Sequence, residues 1–202
     1  MTVAIAKQVV PEISKERSAK ITFEEFLEFD DGLDNSFYEL ENGELILMPL
    51  ESEINRRITS FLFAYFLQLG IPYYRLSNKT EIAVNSRRVG VRIPDFVMFS
   101  EELAAVMLGA KRSLVMLDMP APELVVELVS PSQENRDYRY KRSEYAARGI
   151  LEYWVVDAIA QKVTLFQWVE GFYDEFVFTG DMVIHSPLLG GLTLTAAQVL
   201  QR

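Results

Sequence analysis

The chain contains no cysteine and a single histidine, His185. That excludes disulfide scaffolds, zinc ribbons and thiol nucleophiles together, and it leaves oxygen ligands or His185 for any metal site. A reducing compartment fits the same absence, so the expected location is cytoplasmic. No apolar run approaches the roughly 18 residues that a membrane span requires. The opening MTVAIAKQVVPEISKERSAK also lacks a charged start followed by a long apolar core, and no membrane partner is expected. Basic residues are in deficit, 20 Lys and Arg against 29 Asp and Glu, for a net charge of -9. Such a balance argues at first against a polyanionic partner. The deficit is local, however: residues 1–50 hold 4 basic and 11 acidic side chains, whereas residues 51–150 hold 14 and 12. Arg87, Arg88 and Arg92 form one basic cluster, and RDYRYKRSEYAAR at 136–148 carries five basic side chains against two acidic ones. A run of that kind is first of all a solvated helix face.

What is present is enough apolar sequence, half of 202 residues, to bury a core without a staple. The expectation is one domain over residues 21–202 behind a mobile leader at 1–20. Thr22 and Glu25 have the spacing of a capping box and start a short helix. Asn42-Gly43 lies between two strand-like runs, since both residues accept positive φ in a hairpin turn. Apolar residues at Ile54, Ile58, Phe61, Leu62, Tyr65, Phe66 and Leu69 describe a helix laid on a sheet and stopped at Gly70. Strands are expected at TEIAV from Thr80, RIPDFVMF from Arg92 and ELVVELV from Glu123, with the charged segment 101–113 between the last two. A helix from about Glu134 to Arg148, closed by Gly149, precedes the strand EYWVV ending at Val156. A second hairpin turns around Glu170-Gly171, and a short helix closes the chain near Ala196 to Leu200. The order is helix, three strands, helix, strand, which makes the chain α/β (α+β): a mixed sheet flanked by helices, with an added hairpin near each end.

One residue violates its surroundings. Glu127 stands among Leu124, Val125, Val126, Leu128 and Val129, in a strand that reads as covered on both faces. Because strand side chains alternate, it shares a face with Val125 and Val129, where an unpaired carboxylate costs several kcal/mol or stays protonated. A buried ion pair or a strand end at the sheet rim would account for it structurally. Asp95 sits directly after Pro94, with Val97 and Phe99 along its face. If the two strands are neighbours, the acids meet, and two such carboxylates share a proton or a divalent cation. On the following helix Tyr138, Lys141 and Tyr145 recur on one face, which turns the Lys141 ammonium toward those acids. A snorkelling surface lysine, or an i, i+4 pair with Asp137, is the plainer account of Lys141. Glu81 could approach the same place or point outward; Asp157 suits a turn and His185 a structural loop.

At these residues the chain resembles the PD-(D/E)XK nuclease superfamily. The likeness rests on Pro94-Asp95, on the acid 32 positions later inside an apolar strand, and on the order of elements. More narrowly, RIPDFVMFS, the run PELVVELVSPSQENRDYRYKRSEYAARGILEYWVVD and the upstream YELENGELILMP resemble the Uma-type restriction endonuclease family, common in bacteria. The resemblance implies a restriction endonuclease-like core, a DNA substrate and Mg²⁺, with Mn²⁺ as a substitute. The ion would be held by Asp95, Glu127 and the Leu128 carbonyl, and a homodimer is within its scope. The lysine that the superfamily places two residues after the strand acid is Val129 here. In the narrower family the lysine comes from the helix, so Lys141, with Asp137 and Tyr145, stands for it and orients or activates the nucleophile. The alternative is a catalytically silent binding or regulatory protein that keeps the nuclease fold.

Overall fold

The computed structural model describes residues 20–32, 36–85, 88–130 and 136–201. The expected leader, apart from Lys20, lies outside the described residues, as do Arg87 and the start, near Glu134, of the helix expected to end at Arg148. Among the described residues the elements run α1 (Phe23–Glu28), β1 (Tyr38–Glu41), β2 (Glu44–Leu47), α2 (Glu53–Gln68), β3 (Leu76–Ser77), β4 (Glu81–Asn85), β5 (Val89–Arg92) and β6 (Phe96–Met98). They continue with α3 (Glu101–Met107), β7 (Leu114–Val115), β8 (Leu124–Leu128), α4 (Arg142–Arg148), β9 (Glu152–Asp157), β10 (Lys162–Val169), β11 (Phe172–Thr179) and α5 (Ala196–Val199).

The fold is mixed α and β, as expected, but it holds two mixed sheets where the sequence suggested one. The first has the strand order β2-β1-β5-β4-β7 and the second β11-β10-β9-β8-β6-β3. The single strand expected from Arg92 to Phe99 is where they part. Val89–Arg92 belongs to the first sheet and Phe96–Met98 to the second, with Ile93, Pro94 and Asp95 unpaired between them. Proline has no N–H for a ladder and is confined to strand ends and edges, so the chain changes sheet there. Asp95 thus hangs at the start of β6 rather than inside a strand.

The second sheet is covered on both faces, which explains the continuous apolar reading of β8. Leu124, Val126 and Leu128 pack with Ile58, Leu62 and Phe66 of α2 and with the C-terminal segment around α5. Val125 and Val129 face the other way, into a cluster with Ile82 and Val84 of β4, Leu103 of α3 and Tyr145 of α4. Helix α3 falls in the segment read from sequence as a charged connection: Ser100 caps it through Leu103 N–H, and only Leu103 and Ala104 are buried. So few apolar positions give no periodic signal. The capping box of α1 and both hairpins form where the sequence placed them.

Sheet one brings β1 close to β5. Leu40 pairs with Val91, and a Cβ on the neighbouring Gly90 would stand 2.7 Å from the Leu40 carbonyl. This approach holds Glu39 against Arg92 at the end of β5 and against the Ile93 N–H that leads into β6. No helix among the described residues is long and apolar enough to cross a membrane.

Candidate active site

Strands β6 and β8 are antiparallel neighbours with Phe96 opposite Val126. Continuing that register by one step sets Asp95 opposite Glu127, both on the face of Val97 and Val125. The ladder has ended at Phe96, and the Asp95 carboxylate takes the place of the missing backbone partner: Leu128 N–H donates to its Oδ2 at 2.7 Å. Asp95, Glu127, Leu128, Asp137 and Lys141 line one cleft of about 220 Å³, together with Glu51, Asn55 and Lys79.

Lys141 reaches this cleft from a wide turn. Residues Arg136–Lys141 form a π-helical turn that runs into α4, a distortion often found where side chains are aimed at a site. The turn carries Asp137 and Lys141 inward. The ammonium lies 2.8 Å from Glu127 Oε2, 3.3 Å from Asp137 Oδ1 and 3.3 Å from Glu39 Oε1, and Lys141 is only 2 % exposed. It is not a snorkelling side chain. One turn on, Tyr145 Oη donates to Glu127 Oε1 at 2.8 Å. Tyr138 is only half-buried and stands edge-on to Phe166 instead of joining the acids.

Behind the lysine stands a second tier of charge. Arg92, 1 % exposed, donates through Nε and Nη2 to both oxygens of Glu144 at 2.7 and 2.9 Å, and through Nη1 to Glu39 and Glu41 at 3.0 and 2.8 Å. Arg136 bonds the same two hairpin acids, and Ile93 N–H donates to Glu39 at 3.2 Å. Glu39 therefore ties Lys141, Arg92 and the approach to Asp95 into one unit. Sequence reading missed Glu39 and Arg92. Their signal, an acid on a strand with pairing on both sides, exists only once β1 is known to pair with β5.

The electrostatics follow from too many carboxyls in too little water. Burial pushes the Glu127 carboxyl up to about 8 against the pull of Lys141, with Asp137, Asp95 and Glu39 adding to the rise. Burial also raises Asp95 to about 6, against the Leu128 N–H, Lys141 and Lys79, and it raises Asp137. Glu39 goes the other way: burial would raise it, but Lys141, Arg92, Arg136 and the Ile93 N–H together hold it at about 2. Burial likewise favours a neutral Lys141, yet Glu127, Glu39 and Asp137 outweigh it and keep the ammonium form well above the usual lysine range.

The remaining sequence candidates lie elsewhere. Glu81 is taken up in a two-pronged bond with Arg112 away from the cleft, Asp157 accepts from Ile159 and Ala160 N–H in a turn, and His185 stands in the C-terminal loop near Phe178.

Residues 23–197 match the model of the Uma2 family, described as "Putative restriction endonuclease". The chain belongs to the Uma2 family. A solved structure, a "putative nuclease belonging to DUF820" from Anabaena variabilis, is similar over 90% of this chain and 98% of that one. The TM-score is 0.73 at 18% sequence identity, a likeness of fold. No curated protein matches the sequence. This Uma2-family chain is thus nuclease-like in family and in fold. Within it, the run from Pro122 to Asp157 supplies Glu127, Asp137, Lys141 and Tyr145, while the hairpin YELENGEL supplies Glu39 and Glu41.

Proposed function

We propose that this chain is a Mg²⁺-dependent endonuclease that hydrolyses DNA phosphodiester bonds at the Asp95–Glu127–Lys141 cleft, a PD-(D/E)XK-type site whose lysine comes from the helix. The observation that carries the reading is the placement of Asp95 opposite Glu127 at the end of one ladder, with a buried lysine 2.8 Å from Glu127. The donor set suits a hard divalent cation. Among the described residues no three His, Cys, Asp or Glu side chains form a metal cage, and Mg²⁺ is bound by one or two carboxylates plus water rather than by an all-protein cage. In an extended strand the N–H and C=O of one residue point to the same side. The Leu128 N–H points to Asp95, which supports its carbonyl as the third oxygen that would join the two acids around an ion.

When bound, the ion supplies Lewis-acid polarisation of the scissile phosphate and neutralises charge developing there. The protein groups do the rest. Asp95 and Glu127 would hold the cation once their protons leave, and Tyr145 Oη fixes the Glu127 oxygen that does not face Lys141. Lys141, held as an ammonium by the three carboxyl groups around it, cannot accept a proton from water. It acts as a cationic donor that orients Glu127 and Asp137 around the proposed ion site. Glu39 holds Lys141 and the Ile93 backbone in register.

The closure of the ion network around Lys141 favours the second reading, a silent binding protein, because a purely structural network would have the same form. Calorimetric titration with Mn²⁺ separates the two. Asp95→Asn keeps an oxygen to accept the Leu128 N–H but loses the charge, so it should fold normally and lose most of the binding, which in the wild type weakens as pH falls. Equal heats from wild type and variant would remove Asp95 as a ligand.

A further inference from the structure

Two cations line the cleft, Lys79 and Lys141, and they are not equivalent. Lys141 is buried and bonded to three carboxyl groups, which leaves it out of reach of an incoming anion. Lys79 makes no ion pair among the described residues; its ammonium stands 5.9 Å above the ring of Phe37, itself a half-open residue at the cleft. The backbone of Lys79 has φ +58, in the turn between β3 and β4. That left-handed conformation favours glycine or asparagine and is disfavoured for a long side chain, so neither turn geometry nor a structural ion pair accounts for a lysine here. Strained backbone of this kind collects at functional sites.

The cleft itself repels a polyanion. Glu51, Asp95, Glu127 and Asp137 line it together with Lys79 and Lys141, so a phosphate needs a cation that no carboxylate already holds. Lys79 and Asp95 line the same cleft, which sets the ammonium on the wall that the proposed metal site opens through. We propose that Lys79 holds a backbone phosphate of the nucleic-acid substrate at the mouth of the cleft. It is a substrate-binding residue distinct from Lys141. This rests on the nuclease reading and adds a division of labour: the buried lysine orders the acids, and the cleft-lining one receives the substrate.

The test is fluorescence anisotropy of a short labelled oligonucleotide, single-stranded and duplex, with Ca²⁺ in place of Mg²⁺ as the oxygen-seeking ion. Wild type, Lys79→Met, Lys79→Arg and Lys79→Gly are titrated between about 50 and 200 mM salt. Losing one charged phosphate contact should weaken binding about tenfold at low salt and lower the salt slope by about 1. Lys79→Arg should restore both. Lys79→Gly should bind as poorly as Lys79→Met yet melt no lower than wild type, because it relieves the positive φ; a structural role would give a lower melting temperature and an unchanged salt slope. Wild-type binding with the same affinity and slope in Lys79→Met overturns the assignment of Lys79 and leaves the nuclease reading standing. Failure of the wild type to bind either oligonucleotide at low salt overturns both.

Discussion

Two glutamates are buried in neighbouring strands of the same sheet, Glu127 in β8 and Glu152 in β9, and they are satisfied in opposite ways. Glu152, 1 % exposed, receives Trp154 Nε1 at 2.9 Å, Ser186 Oγ at 2.8 Å and Leu188 N–H at 2.9 Å, all neutral donors that leave its oxygens fully occupied. Glu127 faces a lysine shared with two other carboxyls, borders a cleft, and takes a single neutral donor, Tyr145. Burial of an acid therefore does not mark a reactive site. Neutral donors that close around a carboxylate make it a structural hub, pinning the C-terminal segment to β9. A shared cation, an excess of acid and an opening to solvent leave a carboxylate able to exchange its proton for a metal ion.

The largest expected effect comes from removing the shared cation. Lys141→Met leaves Glu39, Glu127 and Asp137 buried around an apolar tip and should cost about 3–5 kcal/mol in urea unfolding. Lys141 is only 2 % exposed among those acids, and an unchanged midpoint would contradict that geometry. Next, Gly90→Ala drives a methyl into the Leu40 carbonyl and should cost about 1–3 kcal/mol, with loss of any cleavage because Glu39 moves with β1. Glu152→Gln keeps some of its donors but sets an amide N–H₂ against others, for a cost of about 1–3 kcal/mol and no change in cleavage per folded molecule.

The pH dependence sharpens the contrast further. Asp95 and Glu127 have folded values of about 6 and 8 against ordinary values of 3.8 and 4.5. The folded protein consequently binds more protons than the unfolded chain across that interval. Without metal, these two groups make stability fall as pH rises from about 4 to about 8, the reverse of the usual carboxylate behaviour. Glu39, held at about 2, works in the usual sense: its contribution is present above its ordinary value and is lost as pH drops toward 2. Melting curves of wild type and Glu127→Gln between pH 4 and 9 check this, the variant showing the shallower decline. The smallest effect should be that of Glu127→Gln on stability near neutral pH, within about 1 kcal/mol, since the carboxyl it replaces already carries a proton there.

The sequence displayed Glu127 because one charge in an apolar strand breaks a local pattern, and it displayed Lys141 because aromatic spacing gave its helix an inner face. Glu152 stood at the head of EYWVV without drawing notice, since an acid at a strand end breaks no pattern. Glu39 and Arg92 were invisible for a different reason. Their roles depend on β1 lying between β2 and β5, a pairing with a long separation along the chain, whereas a hairpin read alone suggests one solvated face. The division of the sheet at Pro94 was readable in principle from the missing N–H, yet the apolar run on either side resembled one strand.

Plasmid nicking in Mg²⁺ by wild type, Glu127→Gln and Glu152→Gln, compared at equal folded concentration, tests the central distinction most directly. The account predicts that Glu127→Gln loses about 10²-fold or more in rate while keeping near-native stability, and that Glu152→Gln loses stability while nicking at the wild-type rate. Wild-type nicking that survives in Glu127→Gln, or that disappears equally in both variants, would contradict it.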